Sequence, residues 1–211
     1  MVLGWKPALP DGILEAMSLR VEVLSGSEVA PWITELARLR IAVFREWPYL
    51  YEGSLEYEQH YLAKFQDLPE STLVVVRDGE RVVGASTALP LLQAEAEFQA
   101  PFVQAGLNPA EWYYFGESVL EPAYRGQGLG VAFFRHREAR ALELGYRRVT
   151  FCAVERPPDH PLRPTDYVPL DAFWQRRGFS KRPDLVGWFS WPDLGQPQAS
   201  AKPMVYWVKA L

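Results

Sequence analysis

Three glycines, Gly126, Gly128 and Gly130, alternate in GESVLEPAYRGQGLGVAFF, where a strand-like pattern gives way to a helical one. A helix N-terminus presents unpaired N–H groups and the positive end of a dipole, which suits phosphate oxygens. Glycine there lets the backbone approach an anion with no Cβ in the way. A nucleoside-triphosphate loop would need Lys and then Ser or Thr after the last glycine, but Val131 and Ala132 stand there. A dinucleotide fingerprint, G-x-G-x-x-G, fails because its third glycine falls on Val131 or on Phe133. Arg-x-x-Gly-x-Gly remains, made by Arg125, Gly128 and Gly130. On the strand just before it stands Glu117, read with Phe115 and Val119 on one face, where desolvation would raise a carboxyl pKa toward that of a useful base.

Two further stretches carry chemistry. REWPYLYEGSLEYE, residues 45–58, sets Tyr49, Tyr51 and Tyr57 among Glu46, Glu52, Glu56 and Glu58, and aromatic faces with carboxylates attract cations. The plainer alternative is loop tyrosines that pack and a solvated charged face. RPPDHPLRPTDY carries Asp159, His160, Asp166 and Tyr167 on a loop stiffened by prolines. His160 is a candidate proton relay, since imidazole is the side chain suited to that role, although a lone loop histidine is more often structural. With His60 and His136 far off in the chain, no metal-binding spacing emerges. Cys152 lies mid-strand and reads as a small buried hydrophobe.

These residues need elements to hold them. LRVEVLS (19–25) alternates as a half-buried strand. The next segment, to Trp47, has Ile33, Leu36, Ala37, Arg40, Ile41 and Phe44 at helical spacing, and 55–68 is a second helix. Two β-branched runs flank Asp78-Gly79, a hairpin signal. A short helix over 95–106, a strand over 112–121, a helix from the glycines to Gly145 and a strand over 147–155 follow. LDAFWQRRG suggests one more helix, and GWFSW and MVYWVKAL two last strands around a Pro/Gly-containing loop. The order β-α-α-β-β-(α)-β-α-β-α-β-β describes an α/β layered protein with a mixed sheet. Residues 1–18, with Pro7, Pro10 and Gly12, read as an N-terminal extension, and 19–211 as a single domain.

Hydrophobic residues make up 48% of the 211 and charged residues 23%, a globular composition. A formal charge of -4 gives no electrostatic reason to expect nucleic acid or an anionic membrane, and a cationic or neutral partner is easier to accommodate. One cysteine excludes an internal disulfide. The N-terminus has no basic stretch ahead of a long apolar run, so a cytoplasmic location is expected.

Read together, VLEPAYRGQGLG, the strand before it and the element order from residue 19 onward resemble the GNAT superfamily of acyl-CoA-dependent N-acetyltransferases. That resemblance implies a mostly antiparallel central sheet flanked by helices, with acetyl-CoA as co-substrate and no metal. It implies that Arg125, Gly126, Gln127, Gly128, Leu129 and Gly130, with Val131 opening the helix, cradle the coenzyme A pyrophosphate. Backbone groups at Val119 and Leu120 would meet the pantetheine amides, the Leu120 N–H polarising the thioester carbonyl. Arg135, Arg137 and Arg140 either meet the 3′-phosphate or are solvated. Glu117 becomes the base. Many family members carry a Tyr acid in F-Y-x-x-x-G-F; here the stretch is FWQRRGF, Trp174 holds that place, and an indole N–H supplies no proton at neutral pH. Tyr167, slightly upstream, is the substitute. Tyr49, Tyr51, Glu52, Asp159 and His160 would bound the site of a small amine acceptor. The implied activity is acetyl transfer from acetyl-CoA to a primary amine in a ternary complex, by a monomer or homodimer. The alternatives are a non-catalytic acyl-CoA-binding module on the same fold and an interaction protein with no small ligand.

Overall fold

A computed structural model describes residues 19–211; the N-terminal extension expected over 1–18 lies outside the described residues. Seven strands form one sheet in the order β1-β2-β3-β4-β5-β7-β6. In chain order these are β1 (Leu19–Leu24), β2 (Thr72–Asp78), β3 (Arg81–Pro90), β4 (Trp112–Leu120), β5 (Arg148–Val154), β6 (Ser180–Pro192) and β7 (Ala199–Ala210). The helices are α1 (Ile33–Phe44), α2 (Leu55–Ala63), α3 (Ala96–Gln104), α4 (Leu129–Glu143) and α5 (Asp171–Arg176). All neighbours pair antiparallel except β4 and β5, which are parallel. The element order matches the sequence reading, and the mixed, mostly antiparallel sheet is as the resemblance implies.

The two sheet faces carry separate cores. On one, α1 and α2 bury Leu36, Val43 and Leu62 against Val75, Ala85 and Val119, while Phe102 of α3 packs on Trp112 and Tyr206. On the other, α4 and α5 bury Phe133, Phe134 and Trp174 against Phe115, Phe151 and Trp207. Burial of this kind is the main force that holds helices of ordinary length on a sheet.

Several boundaries differ from the sequence reading. The first helix begins as a 3₁₀ segment, Gly26–Trp32, with a Ser25–Glu28 capping box and Pro31 within it, before α1 proper. The last two strands are much longer than GWFSW and MVYWVKAL, because β6 starts at Ser180 and carries an irregularity between Arg182 and Val186. Its first residues, SKRPD, lack apolar alternation since β6 is a sheet edge facing water.

Two irregularities in β4 shape the site. Its parallel pairing to β5 covers only Trp112–Tyr114 against Arg148–Thr150, so the two strands part company beyond that point. On the β3 side, Ser86 pairs with Ser118 and Ala88 with Phe115, leaving Gly116 and Glu117 together opposite Thr87. This extra residue is a β-bulge, and it reverses the facing of every later side chain. Phe115 belongs to the α4 core and Val119 to the α1 core. The expectation that Phe115, Glu117 and Val119 share a face is therefore corrected: Glu117 and Val119 do, and Phe115 lies opposite.

Candidate active site

The glycine turn leaves a row of backbone donors at the start of a helix. Gly126 and Gly128 take φ of 78° and 82°, the left-handed region that a Cβ disfavours, and Gly128 is the N-cap of α4. Among the described residues, no acceptor within the chain takes the amides of Gly126, Gln127, Gly128, Leu129 or Gly130, so five donors cluster at one helix end. The flanking members of the expected cradle differ. The Arg125 amide already donates to Pro122 O at 3.2 Å and that of Val131 to Gly128 O at 2.9 Å. The Arg125 side chain is also committed, with Nε on Leu120 O at 3.0 Å and a bidentate pair to Glu46 at 2.8 and 3.0 Å. It braces the turn against the loop after α1.

From this turn the open edge of β4 leads inward. The Glu121 amide donates to Val83 O, so antiparallel alternation puts Val119 in the β3 ladder and turns the backbones of Leu120 and Ser118 toward the gap left by β5. Leu120 thus faces the gap as expected, while Val119 gives way to Ser118.

Beyond the gap, between α1, α2, α3 and the β6–β7 arm, is a cavity of about 430 Å³. Tyr49, Tyr51, Tyr57, Glu52 and Glu117 all line it. So do Tyr61, Phe98 and Trp191, which the sequence did not single out. One arginine, Arg40, stands among five glutamates: Glu52, Glu58, Glu95, Glu97 and Glu117. Arg40 and Glu58 are buried, as is Glu117. The Arg40 Nη1 lies 2.6 Å from Glu117 Oε1, its Nε donates to Glu58, and its guanidinium stacks 4.5 Å from the Tyr61 ring. Burial would raise the Glu117 carboxyl, but the charge and hydrogen bonding of Arg40 carry it below the usual value. The raised pKa expected from desolvation is therefore corrected: Glu117 is a carboxylate throughout the neutral range. Burial acts against the charge on Arg40, yet Glu117 and Glu58 keep it ionised. Burial pushes the Cys152 thiol up to about 11, and its Sγ lies 3.2 Å from the Tyr114 hydroxyl, as befits a packed thiol.

The loop that closes the cavity is fixed from below. Arg156 donates to the carbonyls of Pro48 and Tyr49 at 2.9 and 2.6 Å and forms a bidentate pair with Asp193, which Lys202 also approaches at 3.3 Å.

A model of the acetyltransferase (GNAT) family matches residues 36–179. The chain belongs to the GNAT acetyltransferase family. No curated protein sequence matches it. Among solved structures, it resembles an acetyltransferase from Thermus thermophilus, with 18% identity, a TM-score of 0.55 and coverage of 92% of this chain and 99% of that one. An aminoglycoside 6′-N-acetyltransferase complexed with coenzyme A shares 14% identity at a TM-score of 0.55, covering 90% and 96%. A mosquito arylalkylamine N-acetyltransferase-like protein shares 12% at 0.57, covering 91% and 100%. At such identities the likeness concerns the fold.

GNAT acetyltransferases use acetyl-CoA, and the five free amides, the two left-handed glycines and the open edge of β4 fit a pyrophosphate followed by an amide-bearing arm. Other expected GNAT residues are placed elsewhere. Tyr167 packs edge-on against Trp47, with ring centroids 5.9 Å apart, and lines a small pocket beside Trp174. Tyr49 walls both that pocket and the main cavity. Asp159 is exposed, and the His160 ring lies tilted against Trp47 with centroids 5.1 Å apart while its Nδ1 accepts from the Leu162 amide; neither lines the cavity. Arg135 is exposed and Arg140 pairs with Glu143. Arg137 is fully buried, which corrects both readings offered for it, solvated side chain and phosphate ligand. Among the described residues no helix is long and apolar enough to cross a membrane.

Proposed function

We propose that this GNAT protein moves an acetyl group from acetyl-CoA to a primary amine of a small cationic molecule, by direct transfer in a ternary complex. The observation that carries the reading is the cavity beside the open edge of β4, walled by aromatic rings and bearing one arginine against five glutamates. Such a surface attracts a cation by ring quadrupoles and by charge, and its low dielectric strengthens both. When bound, acetyl-CoA supplies the acetyl group as an activated thioester.

The chain's own residues do the rest. The amides of Gly126 to Gly130 hold the pyrophosphate, and the backbones of Ser118 and Leu120 align the arm, with the Leu120 N–H available to polarise the carbonyl. Glu117 takes the ammonium proton, directly or through water. With Arg40 holding Glu117 below the usual carboxylate range, the proton it takes goes on to solvent water. Tyr167, whose phenol is held up by burial and stays protonated at neutral pH, is the acid, reached past Tyr49. The protein acts as a monomer or homodimer.

The test is acetyl-CoA with a panel of amines, following free thiol, for wild type, Glu117→Gln and Tyr167→Phe. Cationic amines should outpace neutral ones, Glu117→Gln should lower kcat by roughly 10²–10⁴-fold, and Tyr167→Phe by about tenfold. Coenzyme binding with no thiol release from any amine would instead favour a non-catalytic acyl-CoA-binding module.

A further inference from the structure

Arg137 of α4 has no exposed surface, and among the described residues no carboxylate pairs with it. Its guanidinium is wedged over the rings of Phe115 and Phe134 at 4.4 and 5.1 Å, and burial pushes it down to about 9, still cationic at neutral pH. A buried cation that the Glu117 and Glu138 carboxylates reach only through space, with none at ion-pair distance among the described residues, is a costly choice at a site that an apolar side chain would fill. Its hydrogen bonds show where it acts. Nε donates to Phe133 O at 3.2 Å, and Nη1 donates at 3.3 Å to both Thr87 O and Glu117 O. Thr87 and Glu117 are the two sides of the bulge, where an added residue interrupts the ladder and leaves carbonyls in need of donors. Gly116 completes it, because a Cβ there would meet Thr87 Oγ1 at 2.5 Å.

The bulge decides where Glu117 points. With regular alternation after Phe115, Glu117 would face α4, on the far side of the sheet from Arg40 and the cavity. We infer that Arg137 is a positioning residue: by clamping the carbonyls of Thr87 and Glu117 from behind, it holds the extra residue in β4 and so aims the Glu117 carboxylate into the acceptor cavity. This rests on the reading of Glu117 as the base.

The experiment is a double-substitution cycle on the full chain, with Arg137→Met, Arg137→Lys and Glu117→Gln alone and combined, reading kcat, the KM for the amine and coenzyme A affinity. Arg137→Met should lower kcat by about 100-fold while coenzyme A affinity stays within about threefold, and Arg137→Lys should recover at least about a tenth of wild-type kcat. In the Glu117→Gln background, Arg137→Met should change the residual kcat by less than about threefold, since a base already lost cannot be misaimed. Losses that multiply in the combined variant would overturn the positioning role and leave the base reading standing. Wild-type turnover in Glu117→Gln would overturn both. If Arg137→Met does not fold, the same cycle with Arg137→Lys decides, with non-additive losses supporting the role and multiplied losses overturning it.

Discussion

Arg40 sits between two buried carboxylates, Glu58 and Glu117, and among the described residues is the only cation lining the cavity. Removing one partner from such a cluster strands the others in low dielectric. Arg40→Met should therefore destabilise the fold by about 3–5 kcal/mol at neutral pH, measured by urea denaturation. The sign with pH follows from Glu117. Its native pKa lies below the ordinary value of 4.5, so the stability from its ionisation is present above that value and fades as pH falls through the lowered one. Arg40→Met should abolish that contribution and move the acidic limb of the activity profile to higher pH. Arg40 was legible in part. It occupies the apolar stripe between Ala37 and Phe44, and a charge on a core face signals a buried partner. The partner was not legible, because Glu58 comes from another helix and Glu117 from a strand whose bulge no alternation rule reveals. Trp174 is plainer: packed between Phe151 and Trp207 with ring centroids 5.1 and 5.0 Å away, it is core.

At the scale of elements, the strand–turn–helix of β4 and α4 was the clearest part of the sequence, since glycine spacing and a change of period are local signals. Gly128→Ala should cost about 1–2 kcal/mol from the left-handed N-cap alone and weaken coenzyme A binding about tenfold, as read by calorimetry. Less local features escaped. Ser118 replaces Val119 at the open edge because the bulge shifts alternation by one, and nothing in GESVL marks an extra residue except Gly116. Glu95 and Glu97 reach the cavity only because α3 lies along β6, a contact between segments far apart in sequence. Of the proline loop, His160 packs against Trp47, and neither it nor Asp159 lines the cavity.

For the whole molecule, the formal charge of -4 and a cavity rich in glutamate act in the same direction. Encounter with a cationic amine is favoured at a distance and reinforced inside. Raising ionic strength from about 0.02 to 0.5 M shortens the screening length several-fold, so the KM of a cationic amine should rise by about three- to tenfold while that of a neutral amine changes little. The composition left room for a cationic or a neutral partner; the fold gathers five of the glutamates, Glu52, Glu58, Glu95, Glu97 and Glu117, around one cavity. The Arg125 side chain adds a last property. Its Nε holds Leu120 O at the open edge, and its two terminal nitrogens hold Glu46, which leads into the tyrosine loop of the cavity. One guanidinium thus ties the open edge of β4 to the loop that carries Tyr49 and Tyr51 into the cavity wall. Thermodynamic reciprocity then applies: by whatever factor the coenzyme alters the affinity for the amine, the amine alters that for the coenzyme.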